Sequence, residues 1–249
     1  RDAWTSRNFV WLAVGLVSAL VLIAVAVRLI RRRLIRHPVK PGGVLDSLAY
    51  PFYVILHPFD GFWDLKNEHR GRKWVSTLLI ALTVFTFAAE RSLSGFAVSA
   101  VPDRQLDIVF ELKFVLVPVL LFLVGNLSIT TLMDGKGTMR DIVIATGYAL
   151  KPYVLLSVPL FLLSHVLTQE EAMIYTLLDG ICLIWVLGLL FFGMMTIHDY
   201  SLSKSVLTVI LTLLGMCIIL FILLLLASLV QEIYNYFYGI YKELVFRTY

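Results

Sequence analysis

Residues 206–230 read VLTVILTLLGMCIILFILLLLASLV, and this stretch contains no charged side chain. A transmembrane helix needs about 20 consecutive apolar residues to cross about 30 Å of hydrocarbon. The run is therefore long enough to span a membrane, whereas a water-soluble domain would have to bury it on every side. It decides the class of protein before any other feature is considered.

The composition of the whole chain agrees with this interpretation. The 249 residues are 59% hydrophobic and 15% charged, whereas soluble domains are roughly half apolar and about a quarter charged. Both Cys182 and Cys217 lie inside apolar runs. We interpret them as small buried hydrophobic residues and not as a disulfide or a pair of metal ligands.

Six stretches in total approach the length of a membrane span, and the sequence predicts an all-α, polytopic membrane protein. The predicted spans are Phe9–Ile30, Trp74–Ala89, Phe114–Met133, Ile142–Val166, Ala172–Ile197 and Val206–Val230. The first is an N-terminal anchor helix, and the other five form a transmembrane bundle. The predicted divisions are an exterior stub (1–8), the anchor (9–30), a cytoplasmic basic and amphipathic segment (31–73), a five-helix membrane domain (74–230) and an exterior aromatic tail (231–249).

The distribution of basic residues predicts the orientation. If the N-terminus is outside, the cytoplasmic segments contain thirteen of the 21 Lys and Arg residues and the outer segments contain seven. Because Lys and Arg are retained on the cytoplasmic side, we predict that both termini are exterior. The net charge of the chain is +4, and its basic residues cluster beside apolar runs. We therefore expect these residues to bind anionic lipid headgroups and not nucleic acid.

Two amphipathic segments outside the spans are predicted to be interfacial helices. Between Leu45 and Phe59 the apolar residues recur at steps of three and four, which predicts an interfacial helix that Pro51 starts or kinks. After Val230, a stripe of apolar and aromatic residues predicts an interfacial or docking helix. The residues that we expect to contact lipid or a partner are Arg31, Arg32, Arg33, Phe52, Phe59, Trp63, Tyr234, Phe237 and Tyr241.

Polar residues inside the predicted spans are the candidate functional residues. Lys151 and Asp179 lie about 15 and 12 Å from opposite ends of the fourth and fifth spans. We predict that they interact, either as a structural pair or as a proton- or ion-coupling site. If Lys151 instead follows an interfacial helix, it lies near the cytoplasmic surface. Asn126 and Thr130, four residues apart, form a polar helix face that serves packing or, alternatively, a solute pathway.

Local signals predict two boundaries of these spans. Glu90 and Arg91 follow the second span, and we predict that they mark its boundary with water. Thr138 and Asp141 have the spacing of a capping box, which predicts that the fourth span begins near Met139.

The stretches that resemble catalytic motifs do not have the residue spacing that those motifs require. In Gly135-Lys136-Gly137-Thr138 the earlier glycine of a phosphate-binding loop is missing and Gly follows the Lys, so we interpret the stretch as a turn and a helix cap. The five His residues are dispersed, with no pair at metal-ligand spacing. We therefore expect no enzyme activity, no metal and no cofactor.

Two blocks carry a resemblance to a known family. The first is YPFYVILHPFDGFWD (50–64), followed by a basic stretch, and the second is Asp134–Tyr153 with Gly-Tyr-Ala and Lys-Pro-Tyr motifs. Over about residues 45–230 the chain resembles bacterial Yip-domain proteins. The resemblance implies a five-helix membrane domain with a cytoplasmic N-terminal segment and no known enzymatic activity, and it implies that the membrane is the bacterial plasma membrane. Eukaryotic members are associated with Rab-type GTPases, but the Asp-Leu-Tyr-Gly-Pro type segment of those members is missing here, so we do not expect GTPase binding.

Together these features predict a non-catalytic scaffold or accessory subunit of a larger membrane complex, such as a transport system, with other integral membrane subunits as partners. The alternative is a small-solute or ion transporter or channel that uses Lys151 and Asp179.

Overall fold

The computed structural model describes residues 44–93, 108–165, 167 and 171–247, and this part of the chain consists of α-helices without a strand. The helices, in chain order, are α1 (Val44–Leu56), α2 (Pro58–Asn67), α3 (Lys73–Leu93), α4 (Ile108–Leu132), α5 (Met139–Ala149), α6 (Lys151–Ser164), α7 (Ala172–His198) and α8 (Leu202–Arg247). The predicted stub (1–8), the anchor Phe9–Ile30 and the basic residues Arg31, Arg32 and Arg33 lie outside the described residues.

Five helical units of the described chain are long and apolar enough to cross a membrane. They are Lys73–Arg91, Val109–Leu132, Met139–Ser164, Ala172–His198 and Leu202–Glu243. Each of them overlaps one of the last five predicted spans. The all-helical, polytopic fold class predicted from the sequence is therefore confirmed.

The span Met139–Ser164 is built from two helices. The predicted capping box is present at its start, because the Thr138 hydroxyl accepts a hydrogen bond from the Asp141 amide and the Asp141 carboxylate accepts one from the Thr138 amide. The helix breaks at Leu150, where Pro152 occupies the first turn of α6. A proline lacks an amide hydrogen and cannot continue the preceding helix without loss of a hydrogen bond, which explains the break.

Helix α5 lies at the centre of the fold. It packs against α3, α4, α7 and both short helices α1 and α2, and its residues from Ile144 to Ala149 are all buried. Gly147 permits the close approach of α3, because a Cβ atom at this position would lie 2.6 Å from the Ser76 carbonyl oxygen and 2.7 Å from Ser76 Cα. The Ser76 hydroxyl donates to the Val143 carbonyl at the same crossing.

Helices α1 and α2 form a hairpin, where the sequence predicted one interfacial helix. Pro51 lies inside α1, and the chain turns at His57 before Pro58 begins α2. A Cβ atom on Gly61 would lie 3.0 Å from Val54 Cα, so this glycine lets the two helices cross closely. The side chains that the hairpin buries against α5 and α7 are Tyr50, Val54, Phe62 and Leu65.

Helix α8 differs most from the predicted layout. It contains 46 residues and is about 69 Å long, so the predicted aromatic tail is a continuation of the last span and not a separate helix. Its buried polar side chains are Ser205, Thr208 and Thr212, in the first turns, where it packs against α4. From Leu220 to Glu243 every residue is exposed.

Candidate functional site

Glu90 is the most deeply buried acidic residue of the described chain, at 7% exposure. The sequence predicted that Glu90 and Arg91 mark the water boundary of this span, and the spanning unit does end at Arg91, but the Glu90 side chain is covered by neighbouring helices. The Tyr153 hydroxyl donates a hydrogen bond of 2.8 Å to Glu90 Oε2, and the Tyr175 hydroxyl donates to Oε1. The helix continues beyond Glu90 to Leu93, so this carboxylate lies inside the bundle between α3, α6 and α7.

Two further oxygen-bearing side chains lie next to these tyrosines. Asp179 follows Tyr175 by one helical turn and lies close enough to Glu90 for the two carboxyl groups to interact electrostatically. Ser157 follows Tyr153 by one turn, approaches its hydroxyl and is fully buried without a hydrogen bond of normal geometry. We name Glu90, Asp179, Tyr153, Tyr175 and Ser157 the acidic cluster.

The nearest basic residue in the chain does not neutralise this cluster. Arg91 Nε lies 2.8 Å from a Glu111 carboxylate oxygen, and its guanidinium group lies over the rings of Phe87 and Phe114. Successive helix residues point about 100° apart, so Glu90 faces α6 and α7 while Arg91 faces α4. Across the described chain, no ion pair includes Glu90 or Asp179.

The structure does not bring Lys151 and Asp179 together as an ion pair. Lys151 begins α6, directly after the helix break, and its amine lies 4.9 Å from the centre of the Phe52 ring in α1. Pro152 contacts α7 through its carbonyl, 3.8 Å from Cys182 Sγ. Lys151 therefore turns towards the α1–α2 hairpin, whereas the electrostatic neighbour of Asp179 is Glu90.

Asn126 and Thr130 lie on the buried side of α4. Both side chains are almost fully buried, and the Thr130 hydroxyl donates a 2.7 Å hydrogen bond to the Asn126 carbonyl. The Asn126 side-chain oxygen has no hydrogen-bond partner in the described chain. The adjacent Gly125 lies against α8, where a Cβ atom would be 3.1 Å from Met216 Cγ. This placement suits a helix-packing face, which is one of the two alternatives for this pair.

Most of the predicted interface aromatics are exposed. In the α1–α2 hairpin, Phe59 and Trp63 are each about half exposed, and the Phe59 ring also packs on Phe192 at 4.9 Å. Phe52 is half-buried below the Lys151 amine. In α8, the exposed aromatic residues include Tyr234, Phe237 and Tyr241.

The end of the bundle opposite Glu90 is held by contacts between two loops. Lys136 Nζ lies 2.6 Å from Asp199 Oδ2, and the Gly137 amide donates to His198 Nδ1 at 3.3 Å. The Lys136 ammonium group lowers the pKa of Asp199 through its hydrogen bond and its charge. A Cβ atom on Gly135 would lie 2.5 Å from the same histidine nitrogen. The glycine-rich stretch therefore packs on His198, and it ends in the Thr138 helix cap.

Within the α1–α2 hairpin, the first and last residues of the block 50–64 contact each other. The Tyr50 hydroxyl donates a 2.6 Å hydrogen bond to Asp64 Oδ2, and the Arg70 guanidinium lies 5.2 Å from the centre of the Tyr50 ring. Burial, with the nearby Asp64 carboxylate as a second cause, raises the pKa of Tyr50. Lys66 Nζ donates to the Ile197 carbonyl at the end of α7 and anchors the hairpin there.

The sequence profile of the Yip1 domain matches residues 52–229, which is more than half of the chain. The chain belongs to the Yip1 domain family. No curated protein and no solved structure matches it.

The Yip1 domain includes some of the features described above and excludes others. The match begins in α1, contains the whole acidic cluster and ends within α8. The aromatic part of α8 beyond residue 229 lies outside the matched region. Among the described residues, no group of three His, Cys, Asp or Glu side chains could hold a metal ion.

Sequence reasoning missed Glu90 because an acid followed by an arginine at the end of an apolar run normally marks a membrane surface. Only the contacts from α6 and α7 show that the carboxylate is buried. One signal was available in the sequence: apolar residues resume at Leu93 and extend to Val101, which left room for the membrane to continue beyond Glu90.

Proposed function

We propose that this Yip1-family protein is a non-catalytic scaffold or accessory subunit of a larger membrane complex, such as a transport system. The observation that carries the proposal is the uncovered part of α8, which is exposed from Leu220 to Glu243. Most of the side chains in this part are apolar or aromatic.

The length of α8 exceeds what a membrane crossing needs. Lys204 and Glu232 are the charged residues on either side of the uncharged stretch 205–231. This stretch is about 40 Å long, close to the thickness of a bilayer with its headgroups. A straight helix would then project about a further 24 Å from Glu232 to its end at Arg247.

The projecting part is too apolar for full contact with water. The rings of Tyr234 and Tyr238 stack on each other, and those of Tyr236 and Phe237 form an edge-to-face pair, yet all four side chains are exposed. Exposed apolar surface that continues for several helical turns marks an interaction site. Lipid can cover the part within the bilayer, but beyond the headgroups only a protein surface can cover all sides of the helix.

The occupant that we propose is another integral membrane subunit that packs along α8. A photo-reactive residue at position 237 in the full chain, in intact membranes, should cross-link to one protein in high yield. The same residue at position 184 is the matched control, since Ile184 is exposed to a similar degree, 71% against 64% for Phe237, but lies on α7. Purification in mild detergent should then recover that protein in a fixed ratio.

Three results would contradict the proposal. Cross-links from position 237 only to a second copy of this chain would show a homo-oligomer. Equal cross-linking from positions 237 and 184 would show unspecific lipid-facing contacts. A chain that remains monomeric in several mild detergents, without cross-links, would show that lipid alone covers α8.

The second candidate function is a small-solute or ion transporter or channel. This function was first based on an interaction of Lys151 with Asp179, and the two residues do not form an ion pair. The buried Glu90 supplies a different polar group inside the bundle. Liposomes containing the purified chain distinguish the two functions. Flux that disappears with Asp179→Asn would favour transport, whereas sealed liposomes favour the accessory role.

For the orientation, we propose that the Lys136 end faces the cytoplasm of a bacterial plasma membrane, where basic side chains contact anionic lipid headgroups, and that both termini are exterior. Lys136, Arg140 and Lys204 lie at this end, which supports the proposal. A cysteine at position 243 should react with a membrane-impermeant maleimide in whole cells, whereas a cysteine at position 136 should react only after lysis. The reverse pattern would invert the orientation.

A further inference from the structure

We propose that the acidic cluster is a proton-binding site, in which Glu90 is the fixed negative charge and Asp179 carries the proton. The site lies within the Yip1 domain, near the end of the bundle opposite Lys73, about 25 Å along α3. It does not depend on the accessory role proposed for α8.

The hydrogen bonds of Glu90 assign it the charged form. Each of its two carboxylate oxygens accepts a hydrogen bond from a tyrosine hydroxyl, Tyr175 on one and Tyr153 on the other. A hydroxyl that donates to a carboxylate stabilises the negative charge, and charge-assisted hydrogen bonds are roughly twice as strong as neutral ones. The two hydrogen bonds therefore offset part of the cost of burying a charge at Glu90.

Asp179 lacks this stabilisation. It is half-buried in α7, and the contacts of the described chain give it neither a hydrogen bond nor an ion pair. The neighbouring Glu90 charge repels a second negative charge. An unpaired carboxylate inside a membrane costs several kcal/mol, and a like charge in the same site adds to that cost. Protonation of Asp179 removes both penalties.

The basic and titratable groups around the cluster leave the proton as the simplest ligand. On the α3 and α4 side, Arg91 is paired with Glu111, and on the α1 side the Lys151 amine lies over Phe52. The remaining titratable group close to Asp179 is the buried thiol of Cys182, one turn further along α7. None of these groups offers Asp179 a positive charge at ion-pair distance.

Ser157 supplies an independent indication that the cluster holds a ligand. Its hydroxyl is fully buried, lies on the face of α6 that carries Tyr153 and lacks a hydrogen bond of normal geometry. A buried polar group without a partner is costly, and such groups usually contact a water molecule or ion. A water molecule beside Ser157 would complete a polar path by which a proton reaches the Asp179 carboxylate.

The binding step is simple and balanced. A hydronium ion transfers one proton to the Asp179 carboxylate, which becomes a neutral carboxylic acid, and a water molecule is released. Glu90 and both tyrosines keep their protonation states. One charge therefore enters the cluster without any change in its hydrogen bonds to Glu90.

Infrared spectroscopy of the full chain in lipid nanodiscs tests this assignment, because a protonated carboxylic acid gives a C=O band that a carboxylate does not. At neutral pH the wild type should show one such band, which Asp179→Asn should remove while the chain stays folded. In Glu90→Gln, where the fixed charge is absent, the band should disappear at a lower pH than in the wild type. The interaction of two coupled carboxyl groups predicts a difference of about one pH unit or more.

Asp199→Asn is the control variant, since this exposed carboxylate lies at the other end of the bundle beside Lys136; it should leave the band unchanged. The proposal is overturned if the wild type shows no carboxylic acid band at neutral pH, or if Asp179→Asn leaves the band in place. A band that Glu90→Gln removes at neutral pH, while Asp179→Asn has no effect, would place the proton on Glu90. Stabilisation of the wild type by sodium ions at constant pH, absent from Asp179→Asn, would assign the site to a metal cation and would also overturn the proposal.

Discussion

The contact between α3 and α5 can be tested by comparing a Gly→Ala substitution at two positions, 147 and 188. In Gly147→Ala, the new Cβ atom would lie 2.6 and 2.7 Å from backbone atoms of Ser76, so side-chain rotation cannot relieve the overlap. Overpacking in a dense core costs about 1–3 kcal/mol. In Gly188→Ala, no heavy atom lies within 4 Å of the new Cβ, and the gain in helix propensity is about 0.5–1 kcal/mol.

The two variants should therefore differ by about 1.5–4 kcal/mol in the free energy of unfolding, or about ten- to several-hundred-fold in the unfolding equilibrium constant. Reversible unfolding in mixed micelles, followed by tryptophan fluorescence, measures both variants against the wild type. Gly147→Ala should unfold at a lower denaturant fraction than the wild type, and Gly188→Ala at an equal or higher one. If Gly147→Ala is as stable as Gly188→Ala, α5 does not pack against α3 as described.

Three further predictions use the same assay. Tyr175→Phe removes a hydrogen bond to a buried carboxylate and should cost about 1.5–3 kcal/mol, while a Tyr→Phe change in the exposed part of α8 should cost less than about 0.5 kcal/mol; equal effects would refute the hydrogen bond. Phe62→Ala should cost about 3–5 kcal/mol because the ring is fully buried, whereas Trp63→Ala, at 53% exposure, should cost far less; a reversed order would contradict the orientation of α2. The lowered pKa of Asp199 means that its stabilising effect is present above the pKa of the unfolded state, about 3.9, and is lost as the pH falls through the folded-state value. Unfolding curves of wild type and Asp199→Asn should therefore converge in acid, and a difference that grows as the pH falls would refute this sign.

Hydrophobic run length predicted the spans well because the bilayer imposes a fixed minimum on each crossing. Each of the five spanning units overlaps a predicted one, and α5 begins at Met139 as its capping box indicated. These features depend on residues that are neighbours in the chain. Local patterns are therefore sufficient to identify them.

Contacts between distant residues could not be predicted from the sequence. The buried position of Glu90 depends on tyrosines 63 and 85 residues further along the chain, and no local pattern reports such contacts. The expected pairing of Lys151 with Asp179 was based on the depths of the two residues in the membrane. It did not take into account the directions in which their side chains point. Lys151 and Asp179 lie on the adjacent helices α6 and α7, but the helix break at Leu150 turns the Lys151 side chain towards α1.

The α1–α2 hairpin shows a third kind of difference between sequence and structure. Its apolar residues occupy two faces: Val54 and Phe62 point into the core, while Phe59 and Trp63 remain exposed. A periodic pattern identifies an amphipathic helix but does not distinguish a face that packs on protein from one that meets lipid. Close contacts at Gly61 with Val54, and at Gly193 with the Phe62 ring, decide which face is buried.

The two proposals for this Yip1-family protein concern separate parts of the fold. The acidic cluster joins α3, α6 and α7, whereas α8 packs mainly against α4 and buries only its first turns. Helix α8 therefore contributes no hydrogen bond to the cluster, and the projecting part of α8 lies outside it. If protonation of Asp179 changes how the partner binds, the change must pass through α7, whose end is tied to α8 by the short turn after His198, or through α4, which contacts both α3 and α8. Coupling of this kind needs two arrangements of these helices, one for each protonation state of Asp179. Without them, proton binding and partner binding are independent properties of the same chain.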